Sequence, residues 1–356
     1  MRLGIIGLPQ SGKTTIFNAL TRGDQPLTMS GGRFEVHTAV VDVPDPRVDA
    51  LSALFKPRRT IYAKVTYADI AGLEGRGSGD ISGPLLNQLT QMEGFVHVIR
   101  CFEDPNVPHP LGKVDPLRDL EAMDAEFLLN DLITVERKLE RLEEERKKGA
   151  RDKQILAREQ ALFEKLHAAL EAEKPLRDVE LTPEEEKMLS GFGLLSRKPV
   201  LVLFNLGDDQ EAPQIDYPHQ HSAVAAIRGQ LEMEIAQLAP EDAELFMAEY
   251  GIEELALSRI IRLSYELLGL ISFFTVGEDE VRAWTVRQGA KAPEAAGGIH
   301  SDMEKGFIRA EVIAYDELLE VGSLAAARAQ GKLRLEGKDY VVQDGDILHI
   351  RFNVGK

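Results

Sequence analysis

One loop near the start of the chain limits the folds open to it more than any other feature. Gly7-Leu8-Pro9-Gln10-Ser11-Gly12-Lys13-Thr14 is a complete GxxxxGK[ST] sequence, set between the apolar run LGII and the helix-like KTTIFNAL. A strand before and a helix after are the setting in which such a loop cradles phosphates. Gly7 and Gly12 let the backbone curl until its N–H groups converge on phosphate oxygens. The helix N-terminus adds a partial positive charge. The ammonium of Lys13 is expected on the β- and γ-phosphates and the Thr14 hydroxyl on Mg²⁺, with Pro9, Gln10, Ser11 and Thr15 completing the nucleotide-contacting set.

The texture around the loop agrees with an α/β sheet. LGII, AVVDV, AKVTYADI and HVIRCF read as strands, and KTTIFNAL and PLLNQLTQM as helices between them. From about Leu117 the pattern changes. Ala125, Leu128, Leu132, Val135, Leu139 and Leu142 recur at alternating intervals of 3 and 4, a heptad seam among charged residues. Lys148-Gly149-Ala150 breaks the run, and Ile155, Leu162, Leu166 and Ala169 form a second apolar face. Two antiparallel helices are expected, a coiled-coil hairpin. The α/β texture returns at PVLVLFN, so the hairpin reads as an insertion. Helices are expected near 230–238 and 258–268, with a short strand ending near 226. Beyond Leu270 come short strands (ISFFTV, AWTV, FIRAEVIAY, KLRLEG, DYVV, DILHIRFNV) and one helix near 317–330. The expected division is an NTPase-type α/β domain over 1–115 and 197–270, the helical insertion over 116–196 and an α+β module over 271–356.

Two further motifs follow the loop in order. Asp69-Ile70-Ala71-Gly72 closes the strand-like AKVTYADI; an Asp there holds Mg²⁺ through water, and the Gly offers its N–H to a γ-phosphate. Asn205-Leu206-Gly207-Asp208 follows PVLVLF, in the place of a base-reading NKxD motif. The Asn amide ties loops together and pins a purine. The Asp208 carboxylate suits the two donors of guanine. Leu206 stands where a lysine usually packs over the base.

In this order, the loop, DIAGL, the coiled-coil insertion and the base motif resemble the YchF/Obg-like ATPases, a translation-factor-related branch of the GTPases. VPDPRVDAL, HVIRCFED, GKVDPL, SYELLGLISFFTVGEDEVRAW, APEAAGGIHSDMEKGFIRAEVIAYDELLE and KLRLEGKDYVVQDGDILHIRFNV extend the likeness over nearly the whole chain. The resemblance implies a C-terminal β-grasp module similar to the TGS domain, a fold implicated in RNA or ligand binding. It also implies slow Mg²⁺-dependent hydrolysis with ATP preferred, and association with ribosomes. Leu73 follows the DxxG glycine, where a leucine cannot orient water; the family uses a histidine instead, and the matching position is His97. A core histidine in a strand is the other reading of His97. Three departures stand out. The switch I stretch, 31–41, is short, with Thr38 the nearest candidate for the Mg²⁺ shell. The family's base-motif glutamate is Asp208, one methylene shorter, which leaves ATP and GTP both open. The base loop is Arg228-Gly229-Gln230, where only a backbone contact such as the Gly229 N–H survives.

Composition narrows the partners. The net charge of −17 over 356 residues means that any contact with nucleic acid needs a local basic patch. Arg146, Lys147, Lys148, Arg151 and Lys153 cluster at the expected hairpin tip with Asp152 the one opposing charge, and Lys56, Arg58 and Arg59 form a smaller group. Phe273, Phe274 and Trp284 read as core before they read as base-stacking residues. A single cysteine, Cys101, allows no internal disulfide, which suits a reducing compartment. MRLGIIGLPQ lacks a signal-peptide pattern, and no apolar run nears the ~18 residues of a membrane span. A cytoplasmic protein with no membrane partner is expected. The leading expectation is a nucleotide-dependent switch that slowly hydrolyses a purine triphosphate. The competing one is a nucleotide-responsive RNA or ribosome adaptor that has lost useful hydrolysis.

Overall fold

The computed structural model of the chain describes residues 1–23, 36–70, 81, 83–149, 151–249, 252 and 254–353. In chain order come β1 (Arg2–Ile6), α1 (Lys13–Thr21), β2 (Val36–Asp42), α2 (Pro46–Phe55), β3 (Arg59–Ile61), β4 (Lys64–Ile70), α3 (Gly83–Gln91), β5 (Gly94–Arg100), α4 (Pro116–Lys148), α5 (Lys153–Glu171), α6 (Pro183–Leu189), β6 (Val200–Asn205) and β7 (Ser222–Ile227). There follow α7 (Gly229–Gln237), α8 (Pro240–Glu249), α9 (Ala256–Leu267), β8 (Leu270–Thr275), β9 (Glu280–Arg287), α10 (Ala292–Ile299), α11 (Ser301–Lys305), β10 (Phe307–Ala314), α12 (Tyr315–Val321), α13 (Leu324–Ala329), β11 (Arg334–Glu336) and β12 (Asp346–Phe352). Two compact units result: Met1–Ala39 with Thr66–Ile260, and Val40–Val65 with Ile261–Lys356.

The first sheet runs β2-β4-β1-β5-β6-β7, and β1 pairs in parallel with both β4 and β5, as β6 does with β5 and β7. Every residue of GFVHVIR (β5) and VLVLFN (β6) is buried, as befits strands covered on both faces. The loop after β1 lies at the carboxyl end of a central strand, where open α/β sheets hold their ligands. On one face, Ile6, Ala68 and Phe95 pack against Leu89 of α3 and against Met123 and Phe127 of α4.

The hairpin insertion is present as expected, and its caps explain its length. Asp115 accepts the Arg118 N–H and Pro116 starts α4; Gly149 closes it at φ 68°, with Arg146, Lys147 and Lys148 in the last turn. Asp152 accepts the N–H groups of Gln154 and Ile155 and so sets the phase of α5. Val135, Leu142, Leu162 and Leu166 form the core, with Leu128, Leu132, Leu139 and Ala169 partly buried against it. Two seam positions differ from expectation. Ala125 is exposed, because that part of α4 turns Met123 and Phe127 inward. Ile155 is 53% exposed and Leu156 is buried in its stead, since the cap at Asp152 fixes which residue of the first turn faces α4.

The second unit carries a mixed sheet, β11-β10-β12-β8-β9-β3. β8 and β9 form an antiparallel pair, β12 lies parallel to β8, and β10 runs antiparallel to β12. α10 lays Ala292, Ala295 and Ala296 on Phe273, Ala310, Val312 and Leu348, the ββαβ packing of a β-grasp module. Residues 40–65, grouped with the N-terminal domain on sequence, belong to this unit because β3 pairs in parallel with β9. The single helix expected near 317–330 is two, α12 and α13, separated at Gly322 with φ 76°. DYVV contributes a lone bridge from Val341 to Lys291. Phe273 and Phe274 are fully buried. The Trp284 N–H donates to Thr275 Oγ1 at 2.9 Å, and the Arg282 guanidinium covers its ring at 3.9 Å.

Candidate functional site

The loop between β1 and α1 depends on three unusual backbone conformations: Gly7 at φ 148°, Gln10 at φ 61° and Gly12 at φ 94°. A Cβ on Gly7 would overlap the Val98 carbonyl oxygen, and one on Gly12 the Asn205 amide, so both glycines are needed for space as well as for backbone freedom. Gly12 caps α1 without any side-chain hydrogen bond. The first N–H groups of the helix are therefore left for an outside acceptor. The Ser11 hydroxyl is buried and has no hydrogen-bond partner. Pro9, Gln10 and Thr15 are half-buried around the loop. Lys13 Nζ curls back and donates to the carbonyl oxygens of Gly7 at 3.1 Å and Leu8 at 2.8 Å. Burial lowers its pKa to about 8, against the upward pull of Asp69.

Thr14 Oγ1 donates to Asp69 Oδ2 at 2.9 Å, joining the start of α1 to the end of β4. The other carboxylate oxygen, Asp69 Oδ1, is buried with no hydrogen-bond partner. Burial raises the pKa of this carboxyl, while the Thr14 hydroxyl, Lys13 and His37 lower it. A hydroxyl and an orphaned carboxylate oxygen are hard donors that fit Mg²⁺, which takes one or two protein oxygens and fills its shell with phosphate and water. No cluster of three His, Cys, Asp or Glu side chains able to hold a metal occurs among the described residues.

The remaining candidates divide. Gly72 and Leu73 lie outside the described residues, as do 31–35. Thr38 is exposed on β2. Its neighbour His37 is near enough to Asp69 for its charge to lower that carboxyl's pKa, and along a strand Thr38 lies on the face opposite His37. His37 is the side chain that the sequence reading missed; only its place in the strand beside β4 marks it. His97 lies in β5 opposite Ile6 and Val202 and is 2% exposed. Burial, with a smaller push from Lys13, lowers its pKa to about 3, so the imidazole is neutral.

At the base motif, one amide joins three elements. Asn205 Nδ2 donates to Ser11 O at 3.0 Å, and Asn205 Oδ1 accepts the Gly229 N–H at 3.1 Å. The end of β6 is thereby tied to the phosphate loop and to the start of α7. A Cβ on Gly229 would come within 2.7 Å of Asn205 Oδ1 and press on Ile16, so that contact excludes other residues. The Leu206 side chain packs into the core with Ile99, Leu120, Val202 and Phe204, and its N–H donates to Ile227 O at 2.8 Å. Asp208 is exposed. Its turn is held by Arg228 Nε donating to Asp208 O at 2.6 Å and by the Gly207 N–H donating to Gln210 Oε1 at 2.8 Å.

At the hairpin tip three of the five cations are less free than the local sequence implies. Lys147 pairs with Glu143 at 2.8 Å and Lys148 with Glu144 at 3.5 Å, while Arg151 bridges Glu145 at 2.8 Å and Glu159 at 2.7 Å. Arg58 and Arg59 likewise lie 3.4 Å from Asp279 and Glu280. No helix among the described residues is long and apolar enough to cross a membrane.

Comparison with known proteins gives concordant matches. The family model YchF-GTPase_C, described as a protein of unknown function (DUF933), matches residues 270–353. The chain is 42% identical over 368 residues to "Ribosome-binding ATPase YchF" of Bacillus subtilis, covering 99% of both chains. It is 39% identical over 367 residues to "Obg-like ATPase 1" of Oryza sativa subsp. japonica, covering 99% of this chain and 92% of that one. Among solved structures, that of the Schizosaccharomyces pombe YchF GTPase superposes with a TM-score of 0.82 at 32% identity, covering 99% of this chain and 97% of its own.

Proposed function

This chain belongs to the YchF family of P-loop NTPases, and on that premise we propose that it hydrolyses a purine nucleoside triphosphate with Mg²⁺ and uses its nucleotide state to govern association with the ribosome. The observation that carries the reading is the Thr14–Asp69 contact at 2.9 Å, with an orphaned Asp69 oxygen beside a glycine-built loop. Gly7, Pro9, Gln10, Ser11, Gly12 and Thr15 would surround the phosphates. Lys13 would exchange two carbonyl partners for phosphate oxygens. Thr14 and Asp69 would hold the magnesium, which when bound neutralises phosphate charge. Gly72 would offer its N–H to the γ-phosphate.

His97 is too weak a base to take a proton from water near neutral pH, so its part would be to hold a water by a hydrogen bond. Asn205 positions the base loop against the phosphate loop, with the Gly229 N–H as its partner. Asp208, exposed on a turn held by the Arg228 and Gln210 side chains, would meet the base. ATP is the favoured substrate: the Bacillus subtilis and Oryza sativa relatives are named as ATPases, although the Schizosaccharomyces pombe one is named a GTPase, and Leu206 offers no lysine to support guanine. The association with ribosomes rests on the names of those relatives. We assign the nucleotide chemistry to the domain of 1–115 and 197–270 without the residues 40–65 that pair with the C-terminal module, and contact with a ribosome or RNA to the hairpin of 116–196 or to the module of 271–356. A cytoplasmic location follows from the same partner.

A second reading, an adaptor that binds nucleotide without useful turnover, draws on the deep burial of His97. Single-turnover hydrolysis with ATP and with GTP decides between the two. Hydrolysis of either above the Lys13→Ala background supports the enzyme. Nucleotide binding with no hydrolysis supports the adaptor, and GTP binding tenfold tighter than ATP in competition reverses the base assignment.

A further inference from the structure

Among the described residues α3 is the next helix in the chain after Asp69, and it follows the segment that carries Gly72, the proposed γ-phosphate contact. The last turn of a helix leaves carbonyl groups without partners. At α3 a single side chain takes two of them and the carbonyl just beyond the helix. Lys198 Nζ donates to Leu89 O at 2.8 Å, to Thr90 O at 2.7 Å and to Met92 O at 2.5 Å, which uses all three of its N–H groups. Lys198 belongs to the strand of chain that returns from the hairpin to β6. A few residues earlier, Gly193 has φ 59°, and a Cβ there would lie 2.9 Å from the Thr90 side chain. The return segment therefore lies flush against the end of α3.

On its other side the same segment is gripped by α4. The buried Asp131 carboxylate accepts the Leu195 N–H at 2.7 Å, the Ser196 N–H at 2.7 Å and the Ser196 hydroxyl at 2.6 Å. Leu85, Leu89 and Met92 share one apolar cluster with Met123 and Phe127 of α4 and with Leu195. The end of α3 thus has little freedom to shift unless this segment and the base of α4 shift with it. From Asp131 to Lys148 the helix continues for about 25 Å, so a tilt of about 5° at its base displaces the tip by about 2 Å.

We propose that Lys198 is the joint through which nucleotide-dependent movement of α3 is passed to the coiled-coil hairpin. The inference rests on the nucleotide-binding reading above and adds its route of regulation. By linkage, a partner that holds the hairpin in one inclination changes nucleotide affinity by the same factor that nucleotide changes affinity for the partner.

The test is amide hydrogen exchange on the full chain with ADP or with a non-hydrolysable ATP analogue, alongside nucleotide titration. In the wild type, the end of α3 and residues 131–148 should change exchange rate together, by at least about twofold, between the two nucleotides. Lys198→Met should bind both nucleotides within about threefold of wild type and keep the response of α3 while losing that of the hairpin. Lys198→Arg, which keeps charge and donors, should retain the hairpin response. The wild-type comparison stands even if Lys198→Met does not fold: α3 responding while α4 stays unchanged overturns the proposal. So does a hairpin response that persists in folded Lys198→Met, or bound nucleotide with no response in either helix. A titration that finds no nucleotide binding removes the proposed function itself, and this inference with it.

Discussion

His97 and Lys13 stand side by side electrostatically but do different work. Lys13 would meet charge in the ground state, so Lys13→Ala should weaken nucleotide binding at least tenfold, about 1.4 kcal/mol, in a fluorescent-nucleotide titration. Unchanged affinity would remove the phosphate assignment of the loop. His97, neutral and with its pKa pushed down to about 3, gains nothing from a ground-state phosphate. His97→Ala should therefore lower single-turnover hydrolysis about tenfold or more while affinity stays within about twofold. Equal turnover would leave His97 as a core residue of β5. Since the imidazole does not titrate near its ordinary value, the wild-type rate should show no break near pH 6.5 that His97→Ala abolishes.

The hairpin has its own electrostatic logic at both ends. At its base, burial raises the Asp131 pKa from 3.8 to about 6, against hydrogen bonds from Leu195 and Ser196. The folded chain therefore binds this proton before the unfolded chain does. The stabilisation linked to it is fully present below about pH 3.8 and is lost as pH rises through about 6. Asp131→Asn lacks that contribution and turns an amide N–H₂ toward donors of Ser196. The stability gap between wild type and Asp131→Asn should widen from pH 7 to pH 4, by up to about 3 kcal/mol in denaturant titrations. A gap independent of pH would mean that Asp131 titrates normally. At the tip, Arg151 bridges Glu145 and Glu159 across the turn and is structural, whereas Lys147 and Lys148 pair only with exposed glutamates one turn back, contacts worth little. Lys147→Glu with Lys148→Glu should cut ribosome co-sedimentation more than tenfold at low salt without altering nucleotide affinity. Undiminished binding would move the contact to the C-terminal module.

Across the whole molecule the charge of −17 opposes any diffuse contact with RNA. Association with ribosomal particles should then be local and steeply salt-dependent, with log K falling by roughly 0.7 per unit of log salt for each single-strand phosphate neutralised. Sedimentation with ribosomes from 50 to 200 mM salt checks this. A salt-independent association would point to an apolar protein surface instead. The two compact units also bear on how variants are designed: residues 40–65 fold with the C-terminal segment, so a truncation at 270 would strip β3 of its partner β9.

What the sequence by itself determined is whatever local spacing encodes. The glycines of the phosphate loop, the fully apolar β5 and β6, the heptads of α4 and the order of the three nucleotide motifs are each written within a few residues, because backbone conformation and helical or strand periodicity are local properties. What only the tertiary structure decided is which side chains meet across elements. Asn205 reaches both Ser11 and Gly229, Lys198 gathers the end of α3, and acids from the helices on both sides of the turn pair Lys147, Lys148 and Arg151 at the tip. Strand register and helix phase set these meetings. The exposure of Ile155 in place of Leu156 has the same cause, a helix whose phase is fixed by its cap at Asp152 and not by the spacing of its leucines.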